Sequence, residues 1–235
     1  LVDDEEINLR DTCRALAGNL DKYIIDNTVV AVSWGNTLNC LAGQIQPLKA
    51  KDIKVVQLNG GVAKSASSTG ASQIVDALTM AGHGIGYMFP VPAIVDSKYT
   101  SEILQEETQV KNVLRLAKEA EVSIFSIGAL SKDSILYEVE YLKDEDFQAL
   151  EKNKAVGDIA SRYFDINGNI ALKELDDRVV GFGLEELREK EWTIAIAVGV
   201  NKVDAIIGAL RAGFMNVLYT DEKTAREILN RNLLG

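Results

Sequence analysis

The chain has 235 residues, a length that fits one large α/β domain or two small ones, and is 47% hydrophobic and 26% charged, ordinary values for a soluble globular protein. Its formal net charge is -10, and no basic stripe interrupts the acidic balance, which argues against a nucleic-acid grip by this chain itself. No apolar run reaches the roughly 20 residues of a membrane span, and the acidic start Leu1 to Glu6 does not have the form of a signal peptide. The missing initiator Met is read as the mark of a fragment or processed product. Two cysteines, Cys13 and Cys40, suggest a reducing, cytoplasmic setting without a disulfide framework.

Along the chain, Leu9, Cys13, Leu16 and Leu20 recur at helical spacing within Glu5–Leu20. Val29–Val32 is a short β-branched run of the kind buried on both faces of a sheet. It ends at Ser33-Trp34-Gly35-Asn36-Thr37, and a helix is predicted over Leu38–Ile45. The next strand, Ile53–Leu58, ends at Asn59-Gly60-Gly61. A polar loop, Lys64–Gly70, leads into a helix over Ala71–Met80. Ile85–Phe89 is a strand, Thr108–Ala120 a helix, Val122–Ile127 a strand and Asp144–Lys152 a helix. Asp165-Ile166-Asn167-Gly168, between Gly157–Tyr163 and Ile170–Leu172, carries the Asn-Gly signal of a hairpin turn. The rhythm returns with Thr193–Val198 (strand), Lys202–Ala212 (helix), Met215–Tyr219 (strand) and Asp221–Asn230 (helix). Alternating strands and helices predict a mainly parallel sheet with helices on both faces, in one domain over residues 1–235, with a small hairpin-containing subregion near 130–185.

In open α/β sheets, ligands sit at the carboxyl ends of strands. Three such ends here are small or polar. At Gly35-Asn36-Thr37, glycine permits close backbone approach, the helix start offers N–H groups and Thr37 a hydroxyl, all suited to phosphate. The same residues fit a plain strand–helix turn with Asn36 or Thr37 as N-cap. At Gly199-Val200-Asn201-Lys202-Val203-Asp204, Asn201 and Asp204 resemble a capping pair. Lys202 then stands in the first turn, a favourable place if an anion binds there, or extends into solvent. Asn59-Gly60-Gly61 opens the polar loop, which either covers a ligand or is simply mobile. Asp158 is suited to accept hydrogen bonds from hydroxyls, and equally to serve as a turn residue. Several familiar sites are missing. No Gly-Lys-Ser/Thr marks a nucleotide P-loop, and Gly82-His83-Gly84-Ile85-Gly86 precedes a strand rather than following one. No Cys/His cluster has metal-ligand spacing, and no Gly-x-Ser-x-Gly marks a nucleophile. His83, the only histidine, is expected to be structural or exposed.

Val30 to Leu38, Val56 to Gly61, Ala155 to Ile159, Asn167-Gly168, Gly199 to Ile206 and Asn216 to Ala225 together resemble, in order and spacing, the effector-binding domain of SorC/DeoR-type bacterial transcription regulators. The resemblance covers nearly the whole chain. It implies a fold similar to the ribose-phosphate isomerase, glucosamine-phosphate deaminase and CoA transferase group. It implies a phosphorylated sugar effector, assembly as a homodimer or homotetramer, and contact with DNA only through an N-terminal helix-turn-helix domain outside these residues. Carried over position by position, Gly35, Asn36 and Thr37 hold a phosphate and Lys202 pairs with an anionic group. Asp158 binds sugar hydroxyls, and Asn59, Gly60 and Gly61 line the pocket. Asn59 stands where the glycolytic branch of the family carries Arg. Without that cation, a monophosphate or free sugar is expected over a bisphosphate. No cofactor, metal, membrane or catalytic residue is expected. The competing reading is an enzyme acting on phosphorylated sugars, an isomerase or deaminase, with Asp158 as its base.

Overall fold

A computed structural model describes residues 5–62 and 71–232. The polar loop read at Lys64–Gly70 lies outside the described residues.

The main sheet has six strands, all parallel: β1 (Val29–Val32), β2 (Lys54–Gln57), β3 (Ile85–Tyr87), β4 (Val122–Ser126), β8 (Trp192–Ile196) and β9 (Val217–Tyr219). Their spatial order is β3-β2-β1-β4-β8-β9. Val30 is in register with Val55 on one side and Val122 on the other, and Ile194 with Val217. Because both faces are covered, the strands carry apolar residues without polar alternation. Val30, Val32, Val55, Ile124 and Ile194 point into one core with Cys13, Leu16, Leu38, Leu41 and Ile74. These come from α1 (Glu5–Ala17), α2 (Asn36–Ala42) and α3 (Ala71–Ala81). Ala31, Val56, Phe125 and Ala195 point to the other core, with Val110, Val113, Leu116 and Ile206. Those helical residues belong to α5 (Thr108–Glu119) and α9 (Val203–Arg211). α4 (Lys98–Glu106) precedes α5, and α10 (Glu222–Asn232) closes the described chain.

The predicted subregion is a three-stranded antiparallel sheet, β5 (Gly128–Ala129), β6 (Ala155–Ile159) and β7 (Arg162–Asp165), standing directly after β4. It has its own core of Trp34, Leu136, Phe147, Leu150 and Tyr163, among others. The intervening helices are α6 (Ile135–Glu138) and α7 (Asp144–Lys152), and α8 (Lys173–Asp176) follows β7.

Several boundaries differ from the sequence reading. The predicted extended stretch Gly157–Tyr163 is folded in two. Its hairpin turns at Ala160 and Ser161, with φ of 51° and 71°. Two successive positive φ values are the geometry that matches the right-handed twist of paired strands. Asn167-Gly168 makes a second turn, after which only Ile170 pairs back, as an isolated bridge to Phe164. α2 begins at Asn36 and ends at Ala42, earlier than Leu38–Ile45, and α4 was not predicted at all. Its signal was present: the Ser97 side chain caps it by accepting from the Thr100 amide. No helix among the described residues is long and apolar enough to cross a membrane.

The small sheet is fastened to the rest of the chain through Arg162, which is 9% exposed. Its Nε donates to the Phe182 carbonyl (2.7 Å), one terminal nitrogen to Gly181 (3.1 Å) and the other to the Asp176 carboxylate (2.6 Å). Removing one partner of a buried pair leaves the other charge uncompensated. Arg162→Met is therefore expected to lower unfolding free energy by about 3 kcal/mol, as an earlier urea midpoint; an unchanged midpoint would refute this anchoring role.

Candidate ligand-binding site

Parallel strands all deliver their carboxyl ends to one edge of the sheet, and the cavity lies there. It measures about 290 Å³. The chain after β1 supplies Ser33 to Thr37, the chain after β2 supplies Asn59, the end of β4 and the start of β5 supply Ser126 to Gly128, and the turn after β8 supplies Asn201 and Lys202. The small sheet closes the opposite side with Asp158, Ala160 and Ser161, and Ser131, Ser134 and Leu136 complete the wall.

The fold thus brings together six of the eight sequence-predicted residues: Gly35, Asn36, Thr37, Asn59, Asp158 and Lys202. Gly60 and Gly61 are set back. Gly60 packs so closely on the Val91 and Pro92 carbonyls that a Cβ would collide with them. Its own carbonyl accepts from the Trp34 indole at 2.8 Å. Gly61 exchanges backbone bonds with Val91 and Ala93. The pair braces the wall from behind rather than lining it.

The local geometry also departs from the two capping readings. Gly35, at φ 130°, is itself the N-cap of α2, and neither Asn36 nor Thr37 caps the helix with its side chain. Nothing stands within 4 Å of where a Gly35 Cβ would be, so the glycine answers to backbone conformation and leaves its surroundings open. α2 has only seven residues, which limits any dipole contribution to anion binding. Val200–Lys202 form a 3₁₀ turn, and no side chain caps α9. Asp204 is not Asn201's capping partner; it pairs with Arg231 at 2.6 Å.

Polar groups in the cavity form a chain with loose ends. The Ser161 amide donates to Asp158 Oδ2 (3.1 Å), and Asn59 Nδ2 donates to Ser161 Oγ (3.1 Å). Asn59 is 2% exposed, and its Oδ1 has no hydrogen-bond partner among the described residues. A buried acceptor left unpaired carries a desolvation cost of about 1–3 kcal/mol unless something donates to it. Burial pushes the Asp158 carboxyl up to about 6, against the Ser161 amide and the Lys202 charge, which pull it down. Burial lowers the Lys202 ammonium, while Glu5 and then Asp158 raise it. Among the described residues Lys202 forms no ion pair within 4.0 Å; it lines the cavity, and Glu5 and then Asp158 are the negative charges that act on it. The sequence reading missed Trp34, Ser126, Ser131, Ser134 and Ser161. Single serines carry no pattern, and their place in the cavity follows only from where the chain after β4 and the β6–β7 turn carry them.

Comparison with known proteins agrees with this architecture. The Sugar-bind family model, a sugar-binding domain, matches residues 2–230. The chain belongs to this family. The sugar-binding domain is 33% identical over 220 residues to the deoxyribonucleoside regulator of Bacillus subtilis, covering 94% of this chain and 70% of that protein. It is 31% identical over 208 residues to the transcriptional regulator LsrR of Escherichia coli K12, covering 86% of this chain and 62% of the relative. A domain of a possible sugar-binding transcriptional regulator from Arthrobacter aurescens superposes with a TM-score of 0.89 at 27% identity, over 97% of this chain and 90% of that one. The protein is thus a sugar-binding domain of the transcriptional-regulator type, as the resemblance implied, with the α/β fold expected of it.

The raised Asp158 carboxyl makes the domain's stability depend on pH. With a folded value near 6 against 3.8 for the free side chain, the folded chain holds a proton that the unfolded chain has lost between those limits. Stability therefore falls as pH rises through that window. Asp158→Asn keeps an acceptor for the Ser161 amide and removes the charge. The variant is expected to gain on the wild type from pH 4 to 7, by at most about 3 kcal/mol, in urea unfolding run in parallel. A difference that stays flat with pH would contradict the assignment.

Proposed function

We propose that the cavity binds a singly phosphorylated sugar, and that this binding sets the state of a transcription regulator of carbohydrate metabolism. The observation that carries the reading is Lys202, a largely buried cation at the cavity with no contacting carboxylate among the described residues. An anion arriving there gains a charge-assisted bond in a partly dehydrated place. The Thr37 hydroxyl and the open backbone around Gly35 and Asn36 complete the phosphate end. Asp158 accepts from sugar hydroxyls, and a further hydroxyl donates to Asn59 Oδ1. Lys202 is the only Lys or Arg in the described lining, which fits one phosphate rather than two, as Asn59 in place of an Arg suggested.

The remainder of the reading concerns the whole regulator. DNA contact belongs to an N-terminal helix-turn-helix domain, in keeping with the net charge of -10 on this chain. The sugar-binding domain senses its effector and holds the protein together as a homodimer or homotetramer in the cytoplasm. Sensing requires that the sugar prefer one of two states of the assembly. It requires no turnover, and on this reading the domain is not an enzyme. The raised Asp158 carboxyl beside a lowered Lys202 is the one feature an isomerase or deaminase would share. Turnover of a bound sugar phosphate, abolished in Asp158→Asn, would favour that alternative.

A melting-temperature panel of sugar monophosphates tests the proposal, because a ligand that binds only the folded chain stabilises it by mass action. At least one is expected to raise the midpoint at millimolar concentration. Lys202→Ala is expected to weaken that ligand by about 100-fold, the loss of one charge-assisted bond of about 2–3 kcal/mol. Thr37→Ala is expected to weaken it by about fivefold, the loss of a neutral hydroxyl bond of about 1 kcal/mol. Both variants should fold, since neither side chain fills a core. A panel with no shift, or binding indifferent to Lys202→Ala, would overturn the reading.

A further inference from the structure

The cavity makes no use of the chain's two cysteines, yet the fold brings them together just behind its wall. Cys13 belongs to α1 and Cys40 to α2, and these helices pack on each other against one face of the main sheet. Cys13 is fully buried, and its Sγ donates to the Thr37 carbonyl at 3.7 Å. Thr37 and Cys40 are three residues apart on α2, so they share a face, and a helical side chain leans back over the turn before it. The closeness of that overlap shows one turn later, where a Cβ at Gly43 would stand 3.6 Å from the Cys40 carbonyl. Helix geometry gives Cys40 the same relation to Thr37, and so sets its side chain beside the oxygen to which the Cys13 thiol donates. Burial holds the Cys13 thiol well above the usual thiol range, and the neighbouring Cys40 thiol, in hydrogen-bond reach, adds to the shift.

The two thiols differ in access. Cys40 is half-buried and opens on a groove of about 470 Å³ lined by Glu6, Ile7, Leu9 and Arg10 of α1. Leu9 is one helical turn from Cys13, so the groove runs beside the face of α1 that carries Cys13. A small solute in the groove meets Cys40 first and reaches Cys13 only through it. Where thiols are kept reduced, a close pair serves transient, redox-sensing chemistry rather than structure. A reachable thiol with a second one behind it is the arrangement such chemistry uses.

We propose that Cys13 and Cys40 form a reversible modification site, oxidised to a disulfide by a hydroperoxide. The Cys40 thiolate attacks the O–O bond. One oxygen stays on sulfur as a sulfenic acid, S–OH, and the other leaves as hydroxide, which takes up the proton that Cys40 released. The Cys13 sulfur then attacks the Cys40 sulfur. An S–S bond forms, the S–O bond breaks, and the hydroxyl leaves with the Cys13 proton as water. A dithiol restores both thiols by exchange and is itself oxidised. A disulfide sulfur carries no hydrogen, so oxidation removes the Cys13 bond to the Thr37 carbonyl. It also fastens α1 covalently to the helix whose first turn lines the cavity. Any effect on sugar-phosphate affinity rests on the reading of the cavity given above; the disulfide does not.

Treating the folded 235-residue chain with hydrogen peroxide, alkylating the remaining thiols and mapping peptides without reductant tests this. A Cys13–Cys40 link within one chain is expected, reversed by dithiothreitol. In the reduced chain an alkylating agent should label Cys40 at least about tenfold faster than Cys13. The link closes a loop in the unfolded chain and should raise the melting midpoint by about 5–10 °C, a rise that dithiothreitol removes. Cys40→Ser, at the half-buried position, should leave Cys13 reduced under the same peroxide. Should that variant misfold, Cys13→Ala gives the complementary readout, a Cys40 sulfenic acid trapped by dimedone and no link. Peroxide that leaves both thiols free, that drives Cys40 to sulfinic acid beside a free Cys13, or that links Cys40 only to a second chain overturns the proposal. Melting shifts with sugar monophosphates on the reduced chain report on the cavity separately, so failure of one reading is distinguishable from failure of the other.

Discussion

A sheet whose strands all run the same way brings every strand-to-helix turn to one edge, and the rest of this molecule is organised around that constraint. β1, β2, β4 and β8 occupy four consecutive places in the sheet, and the four chain segments after them meet at one cavity. Residues as distant in sequence as Thr37 and Lys202 thus line the same cavity. The covering helices on both faces fix the strands, so the positions of the turns follow from the packing of two apolar cores.

An open edge is only a shelf, and the small antiparallel sheet turns it into a cavity. β5 continues the path of β4 beyond Ile127, and β6 and β7 are laid on it as a hairpin. Asp158 reaches the cavity because Gly128, its register partner across β5, has no side chain to displace the carboxylate. Arg162 at the start of β7 ties the hairpin to backbone carbonyls of residues 181 and 182 and to Asp176. The electrostatic character of the site thus depends on a guanidinium that lies outside its lining.

Buried parallel strands announce themselves as β-branched runs, so β1, β2, β4 and β8 could be read from the sequence, and with them the edge where the site lies. Gly35, Thr37, Asn59 and Lys202 were legible because each directly follows such a run. The hairpin was misplaced for a physical reason. Asn167-Gly168 is the stronger local signal for positive φ, whereas Ala160 and Ser161 have side chains that resist it. Their conformation is imposed by pairing between β6 and β7. Gly60 and Gly61 were assigned to the pocket because glycine is compatible both with approach to a ligand and with approach to another strand. Only the Val91–Pro92 backbone behind them distinguishes the two. The serine wall left no trace, since a hydroxyl's role is set by where its backbone is carried.

The left-handed pair at Ala160 and Ser161 bears on how this domain can evolve. Two non-glycine residues in that region cost about 1 kcal/mol each or more, and Asn-Gly at the same positions would relieve much of it. Such a replacement would remove the Ser161 hydroxyl that holds the Asn59 amide, releasing a side chain that faces the cavity. Selection for a sturdier hairpin and selection for a well-ordered pocket therefore pull this turn in opposite directions. A lineage that keeps Ser161 accepts a more strained loop in exchange for control over the orientation of Asn59.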